Sequence, residues 1–220
     1  MNNTFLKLGF LIFISINVSV LSGCFSSGES FPYYSISDEF AEYCWYEAGS
    51  SWSYQNDSTL VVESIVIDEV DETIRFNPEG VEYNYQAVDM YLFTNNLGFT
   101  KLEITAGYYK ADPGEMNSLF RLYNDDGTYQ LIFSPQYAIG EEIGLGDNIG
   151  TYSNLEIIDN LELLGNTYID VYHSRLIIEV GTNIEYNYWI AKDYGLIKSV
   201  TSVDGQTISL SLKTANLVAH

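Results

Sequence analysis

Positive charge is what this chain lacks most. Nine Lys and Arg stand against thirty Asp and Glu over 220 residues, a formal net charge of −21. Before Cys24 there is one base, Lys7, and no acid, so the part after Gly23 carries eight bases against thirty acids, or −22. Nucleic-acid backbones are held largely by Lys and Arg with release of counterions, so no nucleic-acid partner is expected. The acids are dispersed without a long single-sign block and read as a solvated acidic surface. Histidine is nearly absent: His173 and the terminal His220 are the two, which excludes a His-rich metal site. His173, alone in VYHSRLI, reads as a structural or solvent-facing strand residue. No Gly-x-Ser-x-Gly elbow is present, so a Ser-His-Asp triad has no support. Nothing repeats with a period of roughly 20–50 residues, so a solenoid is not indicated.

The acid-rich stretches call for a calcium reading. Asp68-Glu69-Val70-Asp71-Glu72, Asn124-Asp125-Asp126, and Glu141-Glu142 with Asp147 all supply hard oxygens. None has the EF-hand spacing, with its glycine at the sixth position and glutamate at the twelfth. Exposed turn and strand-end acids account for them more simply, so no metal site and no cofactor is assigned. A carboxylate pair for glycoside hydrolysis is likewise unsignalled.

A long apolar run is also missing. The most apolar stretch, LGFLIFISINVSV from Leu8 to Val20, follows a short, weakly basic start and falls short of the ~20 residues of a membrane-spanning helix. It fits the apolar region of an export signal. It ends in Leu21-Ser22-Gly23-Cys24, a branched apolar residue, two small ones and a cysteine. This order resembles the lipobox of bacterial lipoproteins. The resemblance implies lipid transfer to the Cys24 sulfur and cleavage before Cys24. A covalent lipid on Cys24 is then the membrane anchor, since two or three acyl chains hold firmly where one holds weakly. Phe25, rather than Asp, follows the cysteine, which by analogy with enteric lipoproteins points to the outer membrane. Cys44, in EYCWYEAG, is left without a disulfide partner. It reads as a small buried hydrophobe, with a reactive or intermolecular thiol as the alternative.

The segmentation expected is a signal peptide over residues 1–23, the lipidated cysteine and a Ser-rich tether over 24–37, and one β-rich domain over 38–220. A short helix fits Ser37 to Tyr43. Beyond it β signals dominate. STLVVESIVIDEV is rich in β-branched residues, and Asn77-Pro78-Glu79-Gly80 has type I turn preferences. VEYNYQAVDMYLF and FTKLEITAGYY alternate with the period of two of a sheet with one wet face. SLFRLYNDDGTYQLIF sets Asp126-Gly127 between two alternating runs, a hairpin signal in which both residues can take positive φ. Ser134 to Gly150 is a glycine-rich connection. NLEIIDNLELL fits a helical stripe as well as strands. Gly165-Asn166 marks a turn, and Asp204-Gly205 introduces the last hairpin. About ten strands follow from these signals.

The fold expected is all-β: a single antiparallel, strongly curved sheet, half-barrel or open barrel, with a sandwich as the alternative. Two segments carry a further resemblance. Gly49, Trp52 and Tyr54 form Gly-x-x-Trp-x-Tyr in EAGSSWSY, and YNYWIAKDYGLIKSV ends in Gly195-Leu196-Ile197-Lys198. Together with LLGNTYIDVYHS this order resembles uncharacterised envelope lipoproteins in which an early Gly-x-x-Trp-x-Tyr strand and a late Gly-Leu-Val-Lys hairpin bracket one sheet. Here Asp193-Tyr194 departs from the usual residues before the glycine. The resemblance implies a sheet like the half-barrels of periplasmic lipoprotein carriers, and no known activity.

Nineteen Tyr, eleven Phe and three Trp remain as the richest group. They suit strands, and Tyr83, Tyr85 and Tyr91 would share one strand face as a candidate ligand surface lining the concavity. The function expected is a lipid-anchored, non-enzymatic binding or assembly module for a lipid, glycan or protein partner. The alternative is a tethered hydrolase using acidic residues. Replacing the anchor residue, Cys24→Ser, is expected to release the protein from the membrane fraction and abolish labelling by a fatty-acid probe, read by fractionation and probe fluorescence.

Overall fold

Alternation of apolar and polar residues, read along the chain, forces almost everything here into strands. The computed structural model describes residues 31–77, 82–94, 97–109, 116–145, 150–180 and 182–218. The elements are β1 (Tyr33–Tyr34), α1 (Asp38–Cys44), β2 (Ser51–Asn56), β3 (Val62–Asn77), β4 (Tyr83–Thr94), β5 (Phe99–Tyr109), β6 (Met116–Asn124) and β7 (Tyr129–Phe133). They continue with β8 (Ile143–Gly144), β9 (Thr151–Leu163), β10 (Asn166–Val180), β11 (Thr182–Ala191), β12 (Gly195–Val203) and β13 (Gln206–Asn216). The signal peptide, the lipobox Leu21-Ser22-Gly23-Cys24 and Phe25 lie outside the described residues.

All thirteen strands belong to one sheet, in the order β7-β6-β5-β4-β3-β2-β13-β12-β11-β10-β9-β8 with β1 beside β4. Two antiparallel meanders therefore run outward from a seam where the first long strand meets the last, β2 with β13, Tyr54 opposite Leu212. The sheet is a single, open, antiparallel one, as expected; only the short β1 pairs in parallel. Its path ends at β7 and β8, which do not pair with each other among the described residues. The sheet curls so that β7 packs on β10 and β11. Ser174 Oγ donates to the Ile132 carbonyl at 2.5 Å, and the Tyr188 hydroxyl donates to Gln130 Oε1.

The hydrophobic core fills the hollow of this curl. Ile67, Met90, Ile104, Phe120, Leu176 and Ile190 are fully buried there. Each contributes roughly 1.5–3 kcal/mol over an exposed position. Helix α1 adds Phe40, Tyr43 and Cys44 to the same core and packs against β12. Ser37 caps it, its Oγ accepting from the Phe40 amide at 3.3 Å, so the helix starts where its capping residue stands.

Several local expectations shift. The folded unit reaches back to Tyr33 rather than starting at 38, because β1 pairs with β4 and Tyr34 meets the Tyr83 ring edge-on at 5.6 Å. NLEIIDNLELL is strand from Asn154 to Leu163, paired with β10. Its hairpin turns at Leu164-Gly165 (φ 49° and 84°), one residue before the expected dipeptide. Asp204-Gly205 turns with both φ positive, 48° and 82°, the arrangement matched to strand twist. At Asp126-Gly127 only the glycine is positive, at 82°. There Asp126 Oδ1 accepts from the Thr128 amide at 2.9 Å, which closes a longer loop. The glycine-rich connection is pinned inward: Asn154 Nδ2 donates to the carbonyls of Ser134 and Tyr137 at 2.9 and 2.8 Å.

Gly150 marks a close approach. A Cβ there would lie 2.1 Å from the Ile177 carbonyl oxygen, at φ +108°, whereas one at Gly205 would meet open space. Gly150→Ala is expected to destabilise by about 3 kcal/mol or more, and Gly205→Ala by about 1–2 kcal/mol, compared by denaturant unfolding.

Candidate functional site

Strand alternation gives β4 two faces, and they do different things. Val88 and Met90 enter the core, and Leu92 on the same face lines a pocket in the hollow. Tyr83, Tyr85 and Tyr91 stand on the other face, so the expected tyrosine lining of the concavity is corrected. Tyr83 is 3% exposed and packs on Tyr85, with ring centres 5.8 Å apart, while Tyr91 is 41% exposed. The register decides this: a side chain one position along a strand points to the opposite side.

The hollow holds a pocket of about 40 Å³ lined by Tyr46, Trp52, Ile65, Leu102, Phe120 and Leu122 among others. Its polar atoms are mostly engaged. Trp52 Nε1 donates to the Tyr194 carbonyl at 2.8 Å, and the Tyr54 hydroxyl donates to the Leu196 carbonyl at 2.6 Å. These bonds join the two sequence motifs, the early Trp-x-Tyr and the late Tyr-Gly-Leu, into one structure. What remains facing the pocket is hydrocarbon and ring faces.

Outside lies a cleft of about 310 Å³ between α1 and the β11–β12 turn, lined by Asp38, Ala41, Glu42, Trp45, Tyr46, Asp193 and Leu217. The turn is tied to the helix: the Asp193 amide donates to the Glu42 carbonyl at 2.8 Å, and Lys192 Nζ lies 2.7 Å from Glu42 Oε2. Tyr46 borders both spaces. Burial pushes its phenol well up, and burial likewise raises the Cys44 thiol. Cys44, fully buried, donates to the Phe40 carbonyl at 3.1 Å. Sequence reasoning passed over Tyr46 and treated Gly195 only as a motif glycine, because the two meet only once β12 is laid beside the segment after α1.

On the tyrosine face of β4 an ion cluster assembles from residues scattered over four strands. Glu103 takes Arg75 Nη1 at 2.9 Å, Arg121 Nη1 at 2.6 Å and the Tyr123 hydroxyl at 3.2 Å. Asp89, its cross-strand neighbour, takes Arg75 Nη2 at 2.6 Å and Lys101 Nζ at 2.8 Å. Lys101 also sits 4.3 Å above the Tyr123 ring. Asp71 stands opposite Asp89 on β3 and is exposed. Burial alone would raise the Glu103 carboxyl. The hydrogen bond from Arg75 and the charges of Arg121, Arg75 and Lys101 outweigh it and hold it at about 2. Glu103 thus carries no proton for general acid catalysis at neutral pH, and the cluster ties four strands together.

The remaining sequence candidates separate. Strand β3 alternates, so Asp68 to Glu72 divide between faces; among the described residues no three His, Cys, Asp or Glu are grouped to hold a metal ion. His173 stacks on Trp189, ring centres 4.2 Å apart. Its nitrogens lie 3.2 Å from both Glu156 Oε1 and Asn187 Oδ1, with no serine hydroxyl among these partners.

Because the folded pKa of Glu103 lies below that of a free glutamate, its stabilisation is present above about pH 4.3. It drains as pH falls toward about 2. Glu103→Gln is expected to lose about 2–3 kcal/mol at neutral pH by leaving the partly buried cations around it uncompensated, and to flatten the acid limb of stability in urea titrations. Comparison of the chain with protein-family models, with curated proteins and with solved structures finds no match in any of the three.

Proposed function

We propose that this chain is a lipid-anchored envelope lipoprotein whose β domain holds an apolar chain in the hollow of its sheet, as a binding module rather than an enzyme. Anchoring rests on Leu21-Ser22-Gly23-Cys24 at the end of a thirteen-residue apolar run. Phe25 after the cysteine favours the outer membrane. The observation that carries the binding reading is the inner pocket, where apolar side chains from β2, β3, β5 and β6 converge. The indole and hydroxyl donors of Trp52 and Tyr54 are turned to backbone carbonyls. Apart from the buried Tyr46 hydroxyl, such a surface has little to offer a sugar hydroxyl and much to offer a methylene.

Magnitudes limit how the ligand is held. The closed pocket, about 40 Å³, is near the ~30 Å³ share of one water molecule, so a chain enters only as a rim side chain moves. A tail burying about five methylenes gains roughly 4 kcal/mol, a millimolar contact by itself. An anchored domain meets its ligand at the membrane, where a high local concentration makes such a contact useful. The hydrolase alternative loses ground at Asp89 and Glu103, the cross-strand carboxylate pair, since three cations surround it and Glu103 stays ionised.

Mass spectrometry of the natively purified mature protein is expected to show two lipid signals: acyl groups covalent on Cys24, and a separable acyl-chain molecule released on denaturation. Leu122→Trp, which fills the pocket, removes the second and spares the first. A glycan or protein released in its place, or a second signal undiminished by Leu122→Trp, overturns the reading.

A further inference from the structure

Tyr46 stands between the acidic cleft and the apolar pocket, lining both. It is 5% exposed, and its hydroxyl is buried with no hydrogen-bond partner. Its ring meets Trp52 edge-on, 5.1 Å between centres, and a Cβ added at Gly195 would lie 3.2 Å from its Cε2. A buried hydroxyl without a partner is a cost that phenylalanine would avoid at nearly the same volume. Tyr46 is common to the linings of the polar cleft and the apolar pocket, so its ring is the side chain that stands between them.

The cleft has its own chemistry. Three carboxylates line it, Asp38, Glu42 and Asp193, and Lys192 pairs with Glu42, so three negative charges against one positive leave two negative. Trp45, on the same wall, and Tyr46 supply aromatic rings. Carboxylates beside aromatic faces suit an alkylammonium group, whose N–H donors and charge pair with the acids while its first methylenes lie on the rings. A fatty-acid carboxylate would meet like charge there.

Resting on the acyl-holding reading above, we propose that Tyr46 is a gate and the cleft a headgroup site, together admitting single-chain amphiphiles with an ammonium head in preference to those with a carboxylate head. The tail lies beyond Tyr46 among Ile65, Leu102, Phe120 and Leu122. The head stays outside between Trp45 and the acids.

The test is photolabelling of the full chain in a neutral maltoside detergent, whose tails compete equally with both probes. One probe is dodecylamine with a diazirine at the end of its tail, the other dodecanoic acid with the same tail, and labelled peptides are mapped by mass spectrometry. The amine is expected to label the inner residues roughly tenfold more than the acid. Glu42→Gln with Asp193→Asn leaves Asp38 against Lys192, a neutral cleft, and brings the two probes level. Loss of the exposed Glu42–Lys192 pair lowers thermal unfolding by about 4 °C at most, and asparagine tolerates the left-handed backbone that Asp193 adopts (φ 64°). Tyr46→Ala raises inner labelling by both probes. Equal labelling by the two probes in the unaltered chain overturns head selection and leaves acyl holding intact. Amine label confined to Ala41 and Leu217 overturns the gate. Inner labelling by neither probe, with Tyr46→Ala included, overturns the acyl-holding reading itself.

Discussion

The bond from the Trp52 indole to the Tyr194 carbonyl, with its neighbour from the Tyr54 hydroxyl to the Leu196 carbonyl, is what the rest of this fold is arranged around. Strand β2 opens the long meander and β13 ends it, and their pairing is the seam that makes two hairpin series one sheet. Backbone pairing alone would let the second series hinge about that seam. The two side-chain donors reach past β13 to the start of β12 and fix the angle at which the sheet turns. Fixing it places the β11–β12 turn under α1, where the Asp193 amide finds the Glu42 carbonyl. The hollow, its rim and the cleft outside it are consequences of that one clamp.

Closing the curl buries polar groups at the far end, and Ser134, Tyr152, Asn154, Ser174 and Tyr188 find partners there. Ser134, Tyr152 and Asn154 form a connected set: the Ser134 amide donates to the Tyr152 hydroxyl, which donates to Asn154 Oδ1 at 2.5 Å. Ser174 and Tyr188 carry bonds from one meander to the other. A satisfied buried network rigidifies, whereas a half-satisfied one weakens a core. The ion cluster of Arg75, Asp89, Lys101, Glu103 and Arg121 does the same work across β3 to β6, on the face that does not enter the core. Ion pairs at that depth are poor evidence of net stabilisation over apolar packing, but removing one member leaves a charge stranded. Opposite faces of the same strands thus carry separate tasks, hydrocarbon inward and a charged lattice outward.

Much of this was legible in the chain. Dipeptides that tolerate positive φ marked Asp204-Gly205 and the neighbourhood of Asp126-Gly127. The short helix after the Ser-rich segment was expected over Ser37 to Tyr43, and alternation announced the strands. The fold class follows from those local signals because an antiparallel meander is itself built of local hairpins. Three things were not legible, each for a reason. NLEIIDNLELL carries both periodicities, and only pairing with β10 chooses between them. The face on which Tyr83, Tyr85 and Tyr91 stand depends on which side of the sheet curls inward, which no single strand encodes. The ion cluster joins residues as far apart as Arg75 and Glu103, or Glu103 and Arg121, through register alone; charges at such separations leave no pattern in a sequence.

Tyr46 belongs to that last class, and its position shows how the hollow is held shut. The residue comes just after the C-cap of α1, Trp45, so the helix sets where its ring can go, while Gly195 leaves the ring its place by having no side chain. Any larger residue at 195 would push the ring out, and any looser seam at Trp52 would withdraw the edge it rests on. The closure is therefore steric and aromatic rather than hydrogen-bonded, since the phenol forms no bond in the closed form. Dispersion contacts of this kind are short-ranged and individually weak, so a small displacement releases most of them at once. A rim held in that way strands no hydrogen-bonded group when it opens, unlike one latched by the bonds that hold Asn154 at the other end of the same sheet. One end of the curl is closed by a polar network and the other by a single aromatic ring over the apolar hollow.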